Sequence, residues 1–121
     1  MNTIASRKSL DETELLWRFK NKMPLLLKLC GILAEQTPRL LGDVRRGIDE
    51  GDGPRIARAA HTLKGSLSQM SAPIAAELAG ELEQSGEAGV FSRSQILVNQ
   101  LEQESAEVQR QLNDLTKSID V

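Results

Sequence analysis

The sequence predicts an all-α protein, an up-and-down antiparallel four-helix bundle with a short additional N-terminal helix. Apolar side chains recur three and four residues apart over most of the 121 residues, which is the period of an α-helix packed on one side. Aromatic residues make up only 2% of the chain and tyrosine is absent, so the core must be aliphatic. Short segments of Gly, Pro and Ser separate the periodic stretches, as in bundles with brief connections.

The first helix is predicted over about 10–20. Ser9 or Asp11 can cap its N-terminus, and the acidic residues of its first turn interact favourably with the helix dipole. Trp17 is expected either at the edge of the core or on a surface that binds a partner. Partial burial is favoured, because tryptophan is highly but rarely fully buried.

The second helix is predicted over about 23–50, with one proline in its interior. An apolar stripe from Leu26 to Ile48 stays in phase across Pro38, although an interior proline removes a backbone hydrogen bond and kinks a helix. The continuous phase favours one bent helix. Two helices that meet near 36–38 remain the alternative.

The third and fourth helices are predicted on either side of a break at 71–73. Asp52 is the expected N-cap of the third helix, which covers about 54–70. In the fourth helix the glutamates, Glu83 among them, are expected to point mostly outward. A loop is predicted over 84–90 because this segment contains two glycines.

The last helix is predicted to begin at Ser92, because Ser92 and Gln95 fit a capping box. Leucine and valine residues then keep a heptad phase as far as residue 119. Glu104 interrupts this apolar run, so the helix is expected to pack loosely there.

Composition limits the class of protein. The net charge of −2 and the pI near 5.4 argue against nucleic-acid binding, and no apolar run approaches the roughly 20 residues that span a bilayer. The single cysteine, Cys30, cannot form an internal disulfide, and neither a nucleotide-phosphate loop nor a zinc cluster is present. We therefore expect a flexible tail over 1–9 and one cytoplasmic, monomeric domain over 10–119, free-standing or part of a larger protein.

His61, the only histidine, lies in the third helix. At about 100° per residue, the ring falls about 140° from the apolar stripe of that helix, on the solvent side. Lys64 at i+3 and Gly65 at i+4 are its surface neighbours. A neutral imidazole is a nucleophile, and a nearby cation would favour an anionic group on it. A helical glycine costs about 1 kcal/mol relative to alanine and indicates a close approach to the backbone. These features together indicate phosphoryl transfer.

The segment His61-Thr62-Leu63-Lys64-Gly65-Ser66, followed by Met70-Ser71-Ala72, resembles the signature of histidine-containing phosphotransfer domains. In coarse outline the resemblance extends over about 10–115. Ser71 departs from the usual glycine of the family, and Leu67 stands where a small residue is common. Neither departure affects the histidine itself.

This resemblance implies a phosphorelay intermediate and not an enzyme with its own ATP site. His61 Nε2 would accept a phosphoryl group from the aspartate of a receiver domain, such as that of a hybrid sensor histidine kinase, and pass it to a second receiver. No cofactor is implied, because Mg²⁺ is expected only in the receiver. Exposed apolar residues of the second helix would belong to the docking patch. The candidate site residues are His61 as phosphoacceptor, Lys64 for charge stabilisation, and Gly65, Ser68, Ala57 and Glu83 for binding.

Two alternatives remain open at this stage. The chain could be a non-catalytic helical interaction module in which His61 is incidental. It could also be the phosphoacceptor domain of a chemotaxis-type histidine kinase, which predicts kinase domains that the 121 residues do not contain.

Overall fold

The computed structural model describes residues 8–119 and contains five helices over that range. Most of the predicted tail, 1–7, lies outside the described residues. None of the described helices is long and apolar enough to cross a membrane. The helices are α1 (Glu12–Arg18), α2 (Met23–Glu50), α3 (Gly53–Gln69), α4 (Pro73–Ala88) and α5 (Phe91–Ile119).

The four long helices form an antiparallel bundle, which confirms the predicted fold class. Both α2 and α4 pack against α3 and α5, so the four helices surround one core. The connections between them cover only 51–52, 70–72 and 89–90, and such short links require consecutive helices to run in opposite directions. The core consists almost entirely of aliphatic side chains, including Leu26, Leu33, Val44, Ile56, Leu63, Leu82, Leu101 and Leu112.

Helix α1 is bound to the junction between α3 and α4. Asp11, one of the two predicted caps, accepts a hydrogen bond from the Glu14 amide at the start of α1. The Arg18 guanidinium donates to the carbonyls of Ser68 and Gln69 at 2.7 and 3.1 Å, and it thereby satisfies backbone acceptors at the end of α3. The short helix therefore fixes the C-terminal end of the helix that carries His61.

Ser71 lies at this junction in a left-handed conformation, with φ of 57°. Glycine adopts such a φ without steric cost. This is a physical reason for the glycine that is usual at this position in the family that the sequence resembles. Here the Ser71 hydroxyl donates to Glu14 Oε1 at 2.8 Å, and its carbonyl accepts from the Asp11 amide at the same distance. Ser71 therefore adopts this strained backbone conformation while its hydroxyl and its carbonyl are both hydrogen-bonded to residues at the start of α1.

Two predictions about the long helices are confirmed. Helix α2 continues without a break through Pro38, as the uninterrupted apolar phase indicates. The Asp52 side chain caps α3 by accepting from the Arg55 amide at 3.1 Å.

The predicted loop at 84–90 is wrong for most of its length, because α4 continues to Ala88 and only Gly89 turns the chain, with φ of 70°. Gly86 is a helical residue at a close helix contact. A Cβ on Gly86 would lie 2.8 Å from Ile56 Cγ2 and 3.0 Å from the Ala57 amide nitrogen. Close packing of α3 on α4 therefore accounts for this glycine.

The expected partial burial of Trp17 is also wrong, since 71% of the residue is exposed. Helix α1 has only two turns, and Leu15 and Phe19 fill its buried side. The Trp17 ring instead lies under the ammonium group of Lys20, 4.9 Å from the ring centroid.

Helix α5 differs from its predicted start. It begins at Phe91, which places Ser92 inside the first turn and not at the cap. Further along, Glu104 Oε2 and the Ser105 hydroxyl are buried with no hydrogen-bond partner in the described part of the chain. The interruption of the apolar run by Glu104 thus coincides with unpaired polar atoms.

Gly86→Ala is expected to destabilise the fold by about 1–3 kcal/mol, the usual cost of overpacking, because its methyl group would overlap the Ile56 side chain and the α3 backbone. Denaturant unfolding measures the free energy directly. Gly42→Ala is the matched control, because a Cβ there meets no atom within 4 Å and alanine is the better helix former. Equal stability of Gly86→Ala and the wild type would contradict this account of the contact.

Candidate functional site

Helix α3 presents His61 to solvent, as the helical wheel predicts. The opposite side of the helix is fully buried through Ile56, Ala60 and Leu63, and 68% of the His61 side chain is exposed. Core packing on one side of α3 therefore determines the direction of the imidazole on the other.

Glu83 of α4 contacts both His61 and Lys64. Its Oε2 atom lies 3.0 Å from His61 Nδ1, and its Oε1 atom lies 3.0 Å from Lys64 Nζ. Only 19% of the Glu83 side chain is exposed, so the expectation that it points outward is wrong. The resemblance named Glu83 as a binding candidate, but local periodicity could not show this contact, because it depends on how closely α3 and α4 pack.

The contact with Glu83 determines which nitrogen of His61 is nucleophilic. An ionised carboxylate has only acceptor atoms, so Nδ1 must carry the hydrogen and donate it. In a neutral imidazole the lone pair then resides on Nε2. Because most of the ring is exposed, this pair is accessible to an incoming electrophile.

The neighbours of Glu83 favour its ionised form. The hydrogen bond from Lys64 is the largest cause that lowers the pKa of the Glu83 carboxyl, and the hydrogen bond from His61 lowers it further, while partial burial opposes both. Glu83 is therefore an anion at neutral pH, as its role as a double acceptor requires.

Gly65 leaves a clear surface beside His61. It is exposed, and a Cβ added to it would meet nothing within 4 Å among the described residues. Packing within this chain does not require glycine here, in contrast to Gly86. The open space is consistent with the close approach of another molecule.

Ser68 and Ala57 lie at the edges of the His61 surface. Ser68 is exposed two turns after His61, next to α1, and its carbonyl is bound by Arg18. Ala57 is half-buried one turn before His61, where its backbone faces Gly86 of α4. The structure thus brings His61, Lys64 and Glu83 into direct contact, and leaves Ser68 and Ala57 as flanking positions.

On its other side, α3 is joined to α2 by a hydrogen bond from the Ser66 hydroxyl to Gln36 Oε1, at 2.9 Å. Leu25 and Ile32 are exposed on α2, in agreement with the expected apolar residues of the second helix. Ile32 and Gln36 line a shallow depression that Ser66 also lines. The depression therefore joins polar residues of α3 to apolar residues of α2.

A mostly apolar groove lies elsewhere, between α2 and α5, with a volume of about 400 Å³. Pro38 and the small residues Ala34, Gly42, Ser105 and Ala106 leave this gap. None of its lining residues belongs to α3 or α4, so the groove is separate from the His61 surface. Within 8–119, no group of three His, Cys, Asp or Glu residues is arranged to hold a metal ion.

Comparison with known proteins identifies the domain type. The family model described as "Hpt domain" matches residues 28–117. The fold is similar to that of histidine-containing phosphotransfer protein B (HptB) from Pseudomonas aeruginosa PAO1, with a TM-score of 0.85 and 24% identity. The match covers 91% of this chain and 96% of that protein. No match was found among curated proteins.

We expect the pKa of the Glu83 carboxyl to lie below the ordinary value for glutamate, and Lys64→Ala to raise this pKa because it removes the largest cause of the shift. The pKa of the Glu83 carboxyl is lower in the folded state than in the unfolded state. The associated stabilisation is therefore complete above the ordinary pKa and is lost as the pH falls through the folded-state value.

Carboxyl ¹³C NMR across pH measures this titration. Lys117→Ala, at an exposed lysine in the last turn of α5, is the matched control and should leave Glu83 unchanged. Identical Glu83 titration curves for the wild type and Lys64→Ala would refute the assignment.

Proposed function

The chain belongs to the Hpt domain family, and from that premise we propose that His61 is the residue that carries the phosphoryl group. Hpt domains are phosphorelay intermediates, phosphocarriers and not ATP-using kinases, and they interact with receiver domains and kinases. The observation that supports His61 is the 3.0 Å hydrogen bond between its Nδ1 and Glu83 on a largely exposed side chain. With the hydrogen on Nδ1, the lone pair of the neutral ring resides on Nε2.

The proposed reaction is an in-line displacement at phosphorus. The Nε2 lone pair of His61 attacks the aspartyl phosphate of a receiver domain, a new N–P bond forms, and the P–O bond to the aspartate breaks. The aspartate leaves as a carboxylate. A second receiver aspartate reverses these steps when it takes the group from His61.

Glu83 contributes to the reaction through Nδ1. When Nε2 bonds to phosphorus, the imidazole ring acquires positive charge while Nδ1 keeps its hydrogen. The Glu83 carboxylate, 3.0 Å from Nδ1, stabilises that charge through a charge-assisted hydrogen bond. It also fixes the ring orientation before attack, and such positioning supplies much of the catalysis in phosphoryl transfer.

Lys64 contributes a cation for the phosphoryl oxygens. The Lys64 side chain is half-exposed, and its ammonium group is bound to Glu83. Interactions of this kind at a surface contribute about 0–1 kcal/mol, so Lys64 adjusts the rate and does not determine whether transfer occurs.

The proposed partners are two receiver domains, of which one can belong to a hybrid sensor histidine kinase. The docking surface would include the open space at Gly65 and the exposed apolar residues Leu25 and Ile32 of α2. The domain itself would need no cofactor, with Mg²⁺ supplied by the receiver. We further propose that the protein is cytoplasmic and monomeric, and that it binds neither nucleic acid nor a membrane.

His61→Gln is expected to abolish phosphoryl acceptance, because the amide cannot replace the Nε2 lone pair as a nucleophile. Incubation with a phosphorylated receiver should give an acid-labile, base-stable label on the wild type only. The helical circular dichroism should be unchanged, because the side chain is largely exposed. Equal labelling of both proteins would end the proposal.

Lys64→Ala is expected to slow transfer by up to about fivefold, the rate equivalent of at most about 1 kcal/mol. Rapid-quench kinetics with a phosphorylated receiver measures the effect. Lys117→Ala serves again as the control, since it removes a lysine far along α5 from the site. If both variants transfer at the wild-type rate, Lys64 has no role in the reaction.

A further inference from the structure

Helix α4 contains a second interior glycine, Gly80, that the helix contact at Gly86 does not explain. Glycine in a helix is less favourable than alanine by about 0.8–1.0 kcal/mol, so its presence calls for a structural reason. A Cβ built on Gly80 would lie 3.3 Å from Lys64 Cδ. The neighbour that limits the space at Gly80 is therefore a residue of the His61 site.

Gly80 and Glu83 share one face of α4, because residues three apart are neighbours on a helix surface. The aliphatic stem of Lys64 crosses from α3 over Gly80, and its ammonium group ends 3.0 Å from Glu83 Oε1. A lysine commonly packs its methylenes against a surface while its charge stays in water. The bare backbone at Gly80 provides that surface here.

We propose that Gly80 is a positioning residue for phosphoryl transfer: its missing side chain lets the Lys64 stem lie against α4, so that the ammonium group reaches Glu83 while Glu83 holds His61. A methyl group at this position would displace Cδ by a few tenths of an ångström, because 3.3 Å is tighter than most real Cβ contacts. The displacement weakens the Lys64–Glu83 contact without breaking the helix. The expected effect on transfer rests on the function proposed for Lys64 and His61.

Gly80→Ala and Gly42→Ala form a matched pair that tests this proposal. Both place alanine at an interior helix position, but a Cβ on Gly42 meets nothing within 4 Å and lies on α2. Both variants should remain fully helical. Only Gly80→Ala should raise the pKa of the Glu83 carboxyl and slow transfer, and the loss in rate should not exceed that caused by Lys64→Ala.

A double-mutant cycle shows whether Gly80 acts through Lys64. Residues in contact give non-additive effects, whereas independent residues add. In the Lys64→Ala background, Gly80→Ala should therefore change neither the Glu83 titration nor the transfer rate. An effect that persists in full without Lys64 would overturn the proposal, as would an unchanged Glu83 titration in the single variant.

The two measurements separate this proposal from the function on which it rests. If the wild type accepts no phosphoryl group, the proposed function fails, but the Glu83 titration still decides whether Gly80 positions Lys64. If transfer depends on His61 and Lys64 while Gly80→Ala leaves both the titration and the rate unchanged, only the role of Gly80 fails.

Discussion

A single carboxylate shared between an imidazole and an ammonium group is the interaction on which the site depends. Glu83 accepts from His61 Nδ1 with one oxygen and from Lys64 Nζ with the other, each at 3.0 Å. The first contact directs the lone pair to Nε2, and the second lowers the pKa of the carboxyl and so favours its ionised form. Because the acceptor and its two donors lie on different helices, the chemistry of the site requires a defined distance between α3 and α4.

Glycine contacts make that distance possible. Gly86 lies against Ile56, and Gly80 lies beneath the stem of Lys64, so that side chains of α3 rest directly on the α4 backbone. Arg18 and Asp52 secure the two ends of α3 through its last carbonyls and its first amides. The nucleophile therefore stands on a helix fixed at both ends and along one side. Such prior positioning suits a reaction in which the carrier contributes orientation and charge.

Features that depend on the local residue pattern were predicted correctly from the sequence, whereas features that depend on packing between helices were not. The apolar phase correctly gave an unbroken α2 across Pro38 and an exposed His61, and local side-chain chemistry gave the caps at Asp11 and Asp52. Gly86 indicated a loop, because a glycine that ends a helix and one that admits a neighbouring side chain look alike in a single sequence. The contact of Glu83 with His61 spans 22 positions, and no local periodicity encodes it. Only the family resemblance named Glu83 as a binding candidate, and no pattern in the sequence distinguished Gly80.

The most direct test of the central claim is ¹⁵N NMR of the His61 ring in the unphosphorylated protein, at a pH where the imidazole is neutral. The account predicts a proton on Nδ1 and the chemical shift of an unprotonated nitrogen at Nε2. Replacement of Glu83 by alanine should remove this preference. A neutral ring that carries its proton mainly on Nε2 in the wild type would contradict the account, because the atom assigned to attack phosphorus would then have no free lone pair.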